Sequence, residues 1–310
     1  MSRRTRWVNF GIIVWVMLAA KETQAVESAL AGAYTKMALL SVSNDINAAS
    51  YRSGAVKYSR YSLPWQSKAR PLSENRSLAG GMRVSWLDVV DVRRAIEQYN
   101  HDGQTLFYHP RWSASSLNVN GQFLQDINQS LTLNYSGSIG LLKFENRSHM
   151  SGTLGQEAYS LAKDKGMVGT TSDILQVSPS TGVTYQYRRM NGDALTLDGR
   201  LSWHALFPVG GERDSVKAGA DTGTWSLRAE YRFAQAFLVA ATPVDILLSE
   251  QPGGFWGKGY RDLNFGFISE TALAAEAPVR VLGAAYRVRV GAGWLKNDKG
   301  TGMSIIVNLR

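Results

Sequence analysis

Ser202 and His204 are the two residues of this chain that come closest to a pair able to do chemistry. Residues two apart in an extended strand lie on the same face, so the hydroxyl and the imidazole would be near enough for the contact that a serine nucleophile requires. Asp198 and Arg200 share that polar face. A polar contact inside the fold explains the pair without any catalysis, and it is the interpretation that we favour.

Other kinds of chemical site are excluded or find no support in the sequence. The chain contains no cysteine, which excludes disulfides, thiolate metal sites, iron–sulfur clusters and thiol nucleophiles. No metal-binding, nucleotide-binding or nucleophile-elbow motif is evident. We therefore predict no metal, no cofactor and no enzymatic activity.

Arginine is the charged residue that recurs on the predicted polar faces. Each guanidinium is always ionised and presents fixed donors, so a group of them around one cavity either pairs with acids or favours anions. The predicted basic ring comprises Arg188, Arg200, Arg228, Arg232, Arg287 and Arg289, and the polar or acidic residues predicted beside it are Asp198, Ser202, His204, Glu230 and Asp262. We favour pairing with acids on a segment that fills the cavity.

The elements that would position these residues are β-strands with strict alternation. From Trp225 to Phe233, apolar residues at odd positions alternate with polar or charged residues at even positions. Tyr286–Trp294 and Leu195–Phe207 repeat the pattern. Because successive side chains of a strand point to opposite faces, each stretch has one apolar and one polar face.

Strand length and aromatic placement favour a membrane barrel over a soluble sheet. These stretches exceed the roughly 5 to 6 residues of an average soluble strand and reach the roughly 9 to 11 that cross a bilayer. Aromatic residues gather toward strand ends, where interfacial girdles lie in membrane barrels. The predicted girdle comprises Trp203, Phe207, Trp225, Phe233, Tyr286 and Trp294.

The spacing of strands and turns predicts an all-β fold: a closed, antiparallel, up-and-down transmembrane barrel. Turn signals at Asn191-Gly192, Gly210-Gly211, Gly253-Gly254 and residues 297–300 divide the second half into about eight strands. The first half alternates less clearly, and its candidate strands are Tyr51–Tyr61, Met82–Val92, Gln104–His109, Ser116–Leu124, Ser130–Tyr135 and Ile139–Glu145. Four of these would complete about twelve strands, within a range of roughly ten to fourteen. The stretch from Ser148 to Thr171 is expected to form a large loop that carries a helical turn.

The N-terminal region, residues 1–50, lacks the alternating pattern of the strands. Residues 1–25 combine arginines, an apolar run too short to span a bilayer and small residues near Ala25, which together predict a signal peptide that is cleaved on export. Residues 26–50 show apolar spacing close to 3.6 and predict an amphipathic helix. The barrel is then expected over residues 51–310.

This architecture resembles the translocator barrel of autotransporters: a helix from Val26 to Ala49, about twelve amphipathic strands and a strand at the C-terminal end. In that family a helix threads the lumen and leads into the first strand, here at Tyr51. Only the helix precedes that strand, so the resemblance is to the solitary barrels without a passenger domain. It implies outer-membrane lipid and the barrel-assembly machinery as partners, and a monomer in the cell outer membrane of a Gram-negative bacterium.

These observations predict a non-enzymatic outer-membrane barrel that is plugged or weakly conducting. Three alternatives stay open: an outer-membrane hydrolase acting on lipid or protein, a small anion-favouring porin, and a soluble periplasmic β-protein. The formal charge of +9 is too diffuse to predict nucleic-acid binding.

Overall fold

The computed structural model describes residues 46–91, 96–101, 104–164, 168–211, 222–257, 267–281 and 284–309. Twelve antiparallel strands close into a barrel. The barrel strands are β1 (Ile46–Ser53), β2 (Val56–Gln66), β4 (Arg76–Asp91), β7 (Arg111–Asp126), β8 (Leu131–Asn146), β10 (Thr171–Arg188), β11 (Ala194–Gly211), β12 (Thr222–Val239), β13 (Thr242–Gly257), β14 (Phe267–Val281), β15 (Ala284–Lys296) and β16 (Gly300–Leu309). The predicted fold class and the predicted number of strands are confirmed.

Five shorter elements lie in the connections. They are β3 (Arg70–Ser73), β5 (Ile96–His101), β6 (Gln104–His109), β9 (His149–Ser151) and helix α1 (Gly155–Asp164). β3 pairs with β4, whereas β5, β6 and β9 form a separate three-stranded sheet, and α1 follows β9 and packs on it. We call β5, β6, β9 and α1 the loop subdomain. It confirms the loop with a helical turn predicted for Ser148–Thr171.

The barrel closes where β1 meets the last strand of the chain. β1 pairs antiparallel with β16 on one side, from Ile46 opposite Val307 to Ser53 opposite Gly300, and with β2 on the other. β2 in turn pairs with β4. Every barrel strand therefore has two neighbours, which removes the unpaired edges of an open sheet.

The connections give the barrel two distinct ends. At the end where β1 begins, the described connections are residues 67–75, 127–130, 189–193 and 240–241, and we call it the terminus end. At the opposite end, which we call the loop end, the described parts of the connections are residues 54–55, 96–101, 104–110, 147–164, 168–170 and 297–299. Most long connections, including the loop subdomain, therefore lie at the loop end.

The two faces of the barrel wall are inverted relative to a soluble protein. On β12, the apolar side chain of Leu227 is 55% exposed, whereas the neighbouring Ser226 is 7% exposed. On β15, Val290 is 53% exposed and Arg289 is buried. Since a folded chain in water buries its apolar side chains, an apolar exterior around a polar interior is the arrangement of a barrel in lipid.

The structure corrects the distribution of strands between the two halves. Seven strands, not eight, follow residue 170, because the stretches around Ile174 and Val183 belong to one strand, β10. Five barrel strands precede it, because Tyr51–Tyr61 is not one strand but a hairpin that turns at Gly54, whose φ of 57° suits glycine. Ser130–Tyr135 and Ile139–Glu145 are both parts of β8.

One predicted boundary and two predicted turns were also wrong. Residues 46–49, predicted as the end of the N-terminal helix, lie in β1, where pairing with both β2 and β16 outweighs helical spacing. Gly253 and Gly254 lie inside β13, paired with Ser226 and Trp225 of β12. Gly210-Gly211 ends β11 rather than forming the turn itself. The signal peptide, residues 26–45 and the stretch from 258 to 266 lie outside the described residues.

Candidate functional site in the barrel lumen

A continuous network of ion pairs lines the lumen in its terminus half. It joins four arginines and three carboxylates from β12, β13, β14 and β15. In order, with N···O distances, the pairs are Arg228–Glu230, Glu230–Arg289 at 3.0 Å, Arg289–Glu276 at 3.1 Å, Glu276–Arg287 at 2.6 Å, Arg287–Asp245, and Asp245–Arg232 at 3.2 Å. The side chains of Arg289 and Glu276 are each 5% exposed.

Most arginines of the predicted basic ring belong to this network. Four of its six arginines bind carboxylates of the barrel wall, so their charges are largely compensated within the wall. Glu230 was predicted beside the ring, but Asp245 and Glu276 were missed. Asp245 lies on β13 just after the turn at 240–241, in a part of the sequence without clear alternation. Glu276 lies in the alanine-rich part of β14, for which no strand was predicted.

The other two predicted arginines lie apart from the network. Arg188 is exposed at the terminus end of β10. Arg200 is half-buried on β11 and makes no ion pair among the described residues; Asp198, two residues away, accepts a hydrogen bond from Thr184 Oγ1 at 2.6 Å. Asp262 lies outside the described residues.

His204 lies in a hydrogen-bonded cluster that does not include Ser202. Its Nδ1 is 2.7 Å from the hydroxyl of Ser178 on β10, and its Nε2 is 2.9 Å from the hydroxyl of Thr224 on β12. Gln176 Nε2 donates to Ser178 Oγ at 2.8 Å. Both ring nitrogens of His204 are thus hydrogen-bonded to hydroxyl groups of the two neighbouring strands. Among the described residues, no carboxylate orients the ring as a catalytic triad requires.

Two polar cavities occupy the middle of the lumen, and Arg200 borders both. One, of about 110 Å³, is lined mainly by hydroxyl and amide side chains, with Arg83, Ser202 and His204 among its lining residues. The other, of about 180 Å³, is bordered by Asp198 and Arg228. The lumen therefore has a wet, hydrogen-bonding middle.

Near the loop end of the lumen, many inward side chains are apolar, although Asn146, Ser172 and Thr222 are also buried there. The apolar side chains form one buried cluster, which we call the apolar belt: Tyr51, Tyr58, Leu87, Val89, Trp112, Ala114, Leu142, Phe144, Ile174, Leu206, Phe255, Ile268 and Leu295. These residues come from ten strands, and each lies within a few residues of the loop end of its strand. No sequence argument predicted this layer.

The predicted girdle aromatics lie on the apolar face of the wall. Phe207, Phe233 and Trp294 are exposed, and Trp203, Trp225 and Tyr286 are half-buried. Trp203 packs on Trp256, with ring centroids 5.0 Å apart, and Trp256 in turn lies across Gly223, where any Cβ would collide with the indole. Trp256 was missed, since its strand was not predicted there.

Two negative findings concern only the described residues. No group of three or more His, Asp or Glu in that part of the chain could hold a metal ion. No helix there is long and apolar enough to cross a membrane.

Solved structures place this fold among known barrels. The translocator domain of the autotransporter NalP from Neisseria meningitidis aligns over 86% of this chain and 84% of its own length, with a TM-score of 0.51 and 12% sequence identity. The β-domain of the Bordetella autotransporter BrkA (86% and 98%, TM-score 0.48, 8% identity) and the transport unit of AIDA-I from Escherichia coli (86% and 88%, 0.47, 10%) are also similar. No protein-family model and no curated protein sequence matches the chain. The resemblance to autotransporter translocator barrels predicted from the sequence is confirmed at the level of fold.

Proposed function

We propose that this chain is a non-enzymatic outer-membrane barrel, built like an autotransporter translocator but closed to free passage of solutes. Two observations support the proposal: the inverted barrel wall, and the buried apolar belt at the loop end of its lumen. Apolar constrictions oppose ion passage because water and ions are unstable in them. The barrel itself, rather than only an added plug, would then limit conduction.

The segment before β1 is the second part of the proposal. The chain enters β1 at the terminus end, beside the ion-pair network. We propose that residues 26–45 enter the lumen from this end as an amphipathic helix, with Glu27 and Asp45 adding acids near arginines of the wall. Export by a cleaved signal over residues 1–25 and assembly by the barrel-assembly machinery belong to the same proposal.

The alternatives have weaker support from the lumen. A porin that selects anions needs uncompensated positive charge, yet Arg228, Arg232, Arg287 and Arg289 bind carboxylates. A hydrolase needs an activated nucleophile, yet the Ser178–His204 contact lacks an orienting acid. Both alternatives therefore rest on single features rather than on a complete site.

Planar-bilayer recordings test the proposal with three proteins. These are the full chain, a form lacking residues 26–45, and the full chain with Leu142→Ser, Phe144→Ser and Leu206→Ser in the apolar belt. We expect small or rare openings for the full chain and larger steady conductance when the belt is made polar. Removal of residues 26–45 should raise conductance only moderately, because the belt persists.

The controls separate closure from misfolding. Leu141→Ser, on the outer face beside Leu142, changes the same residue type without touching the lumen. It should leave conductance unchanged. A full chain with large constitutive conductance would overturn the proposal, as would a chain that stays in solution without detergent.

A further inference from the structure

The outer wall carries a cluster of five cations near the loop end, on strands β1, β2, β7 and β8. We call it the exterior cation cluster: Arg52, Lys57, Arg111, Lys143 and Arg147, all of them exposed. We propose that it binds a phosphate-bearing lipid headgroup in the membrane leaflet beside the loop end. This inference rests on the proposed membrane location and adds a defined ligand site to it.

The cluster begins where the apolar exterior ends. On β8 the outward residues Ile139 and Leu141 are 60% and 56% exposed, and the next outward residue is Lys143. Two residues of a strand advance by roughly 6.6 Å, so the ammonium lies one step beyond the lipid-facing surface. On β2, Tyr61 is exposed on the outer face in the same way. Lys57 lies two outward positions closer to the loop end of that strand. This level is that of the lipid headgroups.

Strand pairing brings these cations together. Arg52 lies opposite Lys57 in the β1–β2 hairpin, and the Arg52 guanidinium donates to the carbonyl of Gly54 at 3.2 Å. The backbone N–H of Arg147 donates to the carbonyl oxygen of Arg111 at 2.8 Å, which makes these residues direct neighbours. The cluster thus consists of two pairs of neighbouring residues at the same level on either side of β4, where Val90 lies opposite both Lys57 and Arg111, with Lys143 below the second pair.

Three carboxylates share this surface with the five cations, which leaves an excess of two positive charges. Asp88 Oδ1 accepts a hydrogen bond from Arg111 Nε at 3.3 Å. Glu145 Oε2 accepts a hydrogen bond from Arg147 Nε at 2.7 Å, and Glu145 Oε1 lies 3.4 Å from Lys143 Nζ. The cationic side chains are 52 to 57% exposed and these two carboxylates only 26 to 35%, so the positive groups project furthest. Asp173, opposite Lys143 on β10, is the third acid.

Phosphate is the anion that fits this arrangement. Arg111 and Arg147 each use Nε and Nη2 on a carboxylate, which leaves Nη1 to donate outward. Arginine and lysine groups at headgroup level bind phosphate oxygens through charge-assisted hydrogen bonds. At the terminus end of β7 and β8, by contrast, the corresponding outward residues are Phe123, Gln125, Leu131 and Leu133, so on these two strands the outward cations lie only near the loop end.

The test uses the full chain folded into vesicles of digalactosyldiacylglycerol, a bilayer lipid without phosphate, with lipid A as a bisphosphorylated glycolipid probe. Native mass spectrometry after extraction counts lipid A bound to each barrel. We expect the triple variant Arg111→Gln, Lys143→Gln, Arg147→Gln to bind lipid A about tenfold more weakly. The matched control removes three exposed cations near the terminus end, by Lys68→Gln, Arg70→Gln and Arg76→Gln, and should bind as the unmodified chain does.

The outcomes are distinguishable. A chain that never inserts into vesicles contradicts the proposed function rather than this site. Equal losses in both triple variants would overturn the site, because they would show only diffuse surface charge. Displacement of lipid A by inorganic phosphate would show a soluble anion site instead. If the triple variant fails to insert, the test uses the unmodified chain and compares its binding of lipid A with its binding of dephosphorylated lipid A. Equal binding of the two lipids would overturn the inference.

Discussion

The two halves of the lumen obey the same alternation and yet carry opposite chemistry. In the terminus half, inward positions of β12 to β15 carry four arginines and three carboxylates in one network. In the loop half, inward positions carry the apolar belt. The comparison shows that an inward position in this barrel is defined by the backbone, not by polarity, and that polar residues mark the inside of only part of the wall.

The network and the belt also differ in how they stabilise the barrel. The belt gains free energy from burying apolar surface, which tolerates modest changes in shape. The network places charges where water is scarce, so each carboxylate compensates two arginines at once. Removing one partner from the network should therefore cost more than trimming one residue of the belt.

The largest expected effect is loss of Glu276, which joins Arg287 to Arg289. Glu276→Ala removes one of the two carboxylates that bind the buried guanidinium of Arg289, and we expect a loss of about 3 to 5 kcal/mol in the free energy of unfolding. Urea titration of the vesicle-folded barrel, followed by tryptophan fluorescence, measures it. Asp298→Asn removes an exposed acid paired with Lys299 and should cost under about 1 kcal/mol. Equal costs would contradict the contrast.

The second prediction compares the outer face with the lumen. Val290→Arg places a charge in the lipid-facing surface and should cost about 2 to 4 kcal/mol of barrel stability. Thr184→Arg places the same side chain in the lumen beside Asp198 and should cost much less. The same urea titration measures both variants, and equal tolerance of the two would contradict the membrane barrel.

The third prediction concerns the loop subdomain, where the His109 and His149 rings stack with centroids 4.3 Å apart. Burial lowers the pKa of His149, and the charges of His109 and Arg111 lower it further. The unfolded segment therefore binds the proton more readily, so stability of the subdomain is full above about pH 6.5 and falls on acidification. Trypsin cleavage after Lys163, measured relative to cleavage of an unstructured lysine-containing peptide at the same pH, should quicken at low pH in the unmodified chain. The His149→Gln variant should lose most of this pH dependence, and an unaltered dependence would contradict the assignment.

The smallest expected effect lies in a turn at the terminus end. Asp193 accepts hydrogen bonds from the backbone of Ala234 at 2.9 Å and from Asn191 and Tyr231, and these lower the pKa of its carboxyl. A lowered pKa gives stability that is present above the unfolded pKa and is lost as the pH falls through the folded one. Asp193→Asn should flatten the acid end of the pH–stability curve slightly, as urea midpoints at several pH values would show. A matching change in Asp298→Asn would mean that general surface charge is responsible.

The contrast between the two lumen halves also explains which parts of the fold the sequence could predict. The sequence around Leu227 and Arg228 alternates plainly between apolar and polar residues, because lipid lies on one side of the strand and the polar lumen on the other. Leu141 and Leu142 break the pattern because Leu141 is 56% exposed outside and Leu142 is 2% exposed in the belt. A strand that is apolar on both faces has no period of two, so its boundaries and register could not be predicted.

The residue types of the lumen site could be predicted from the sequence, but the contacts between their side chains could not. Arg228 and Glu230 lie on one predicted strand, so their shared face was evident. Asp245, Glu276 and the partners of His204 come from other strands, and their contacts depend on a register that one sequence does not contain. Ser178 and Thr224 reach His204 across two strand pairs, whereas the predicted partner, Ser202, lies on the same strand.

The apolar belt has an electrical consequence. The middle of the lumen is lined by groups that hold water, and water with its ions conducts, whereas a dry layer of side chains insulates. A voltage across the bilayer would therefore fall mainly across the belt and leave the ion-pair network near the potential of the terminus side. Charges introduced at Leu142 or Leu206 would sense the field most strongly, at up to about 2.3 kcal/mol per charge for each 100 mV.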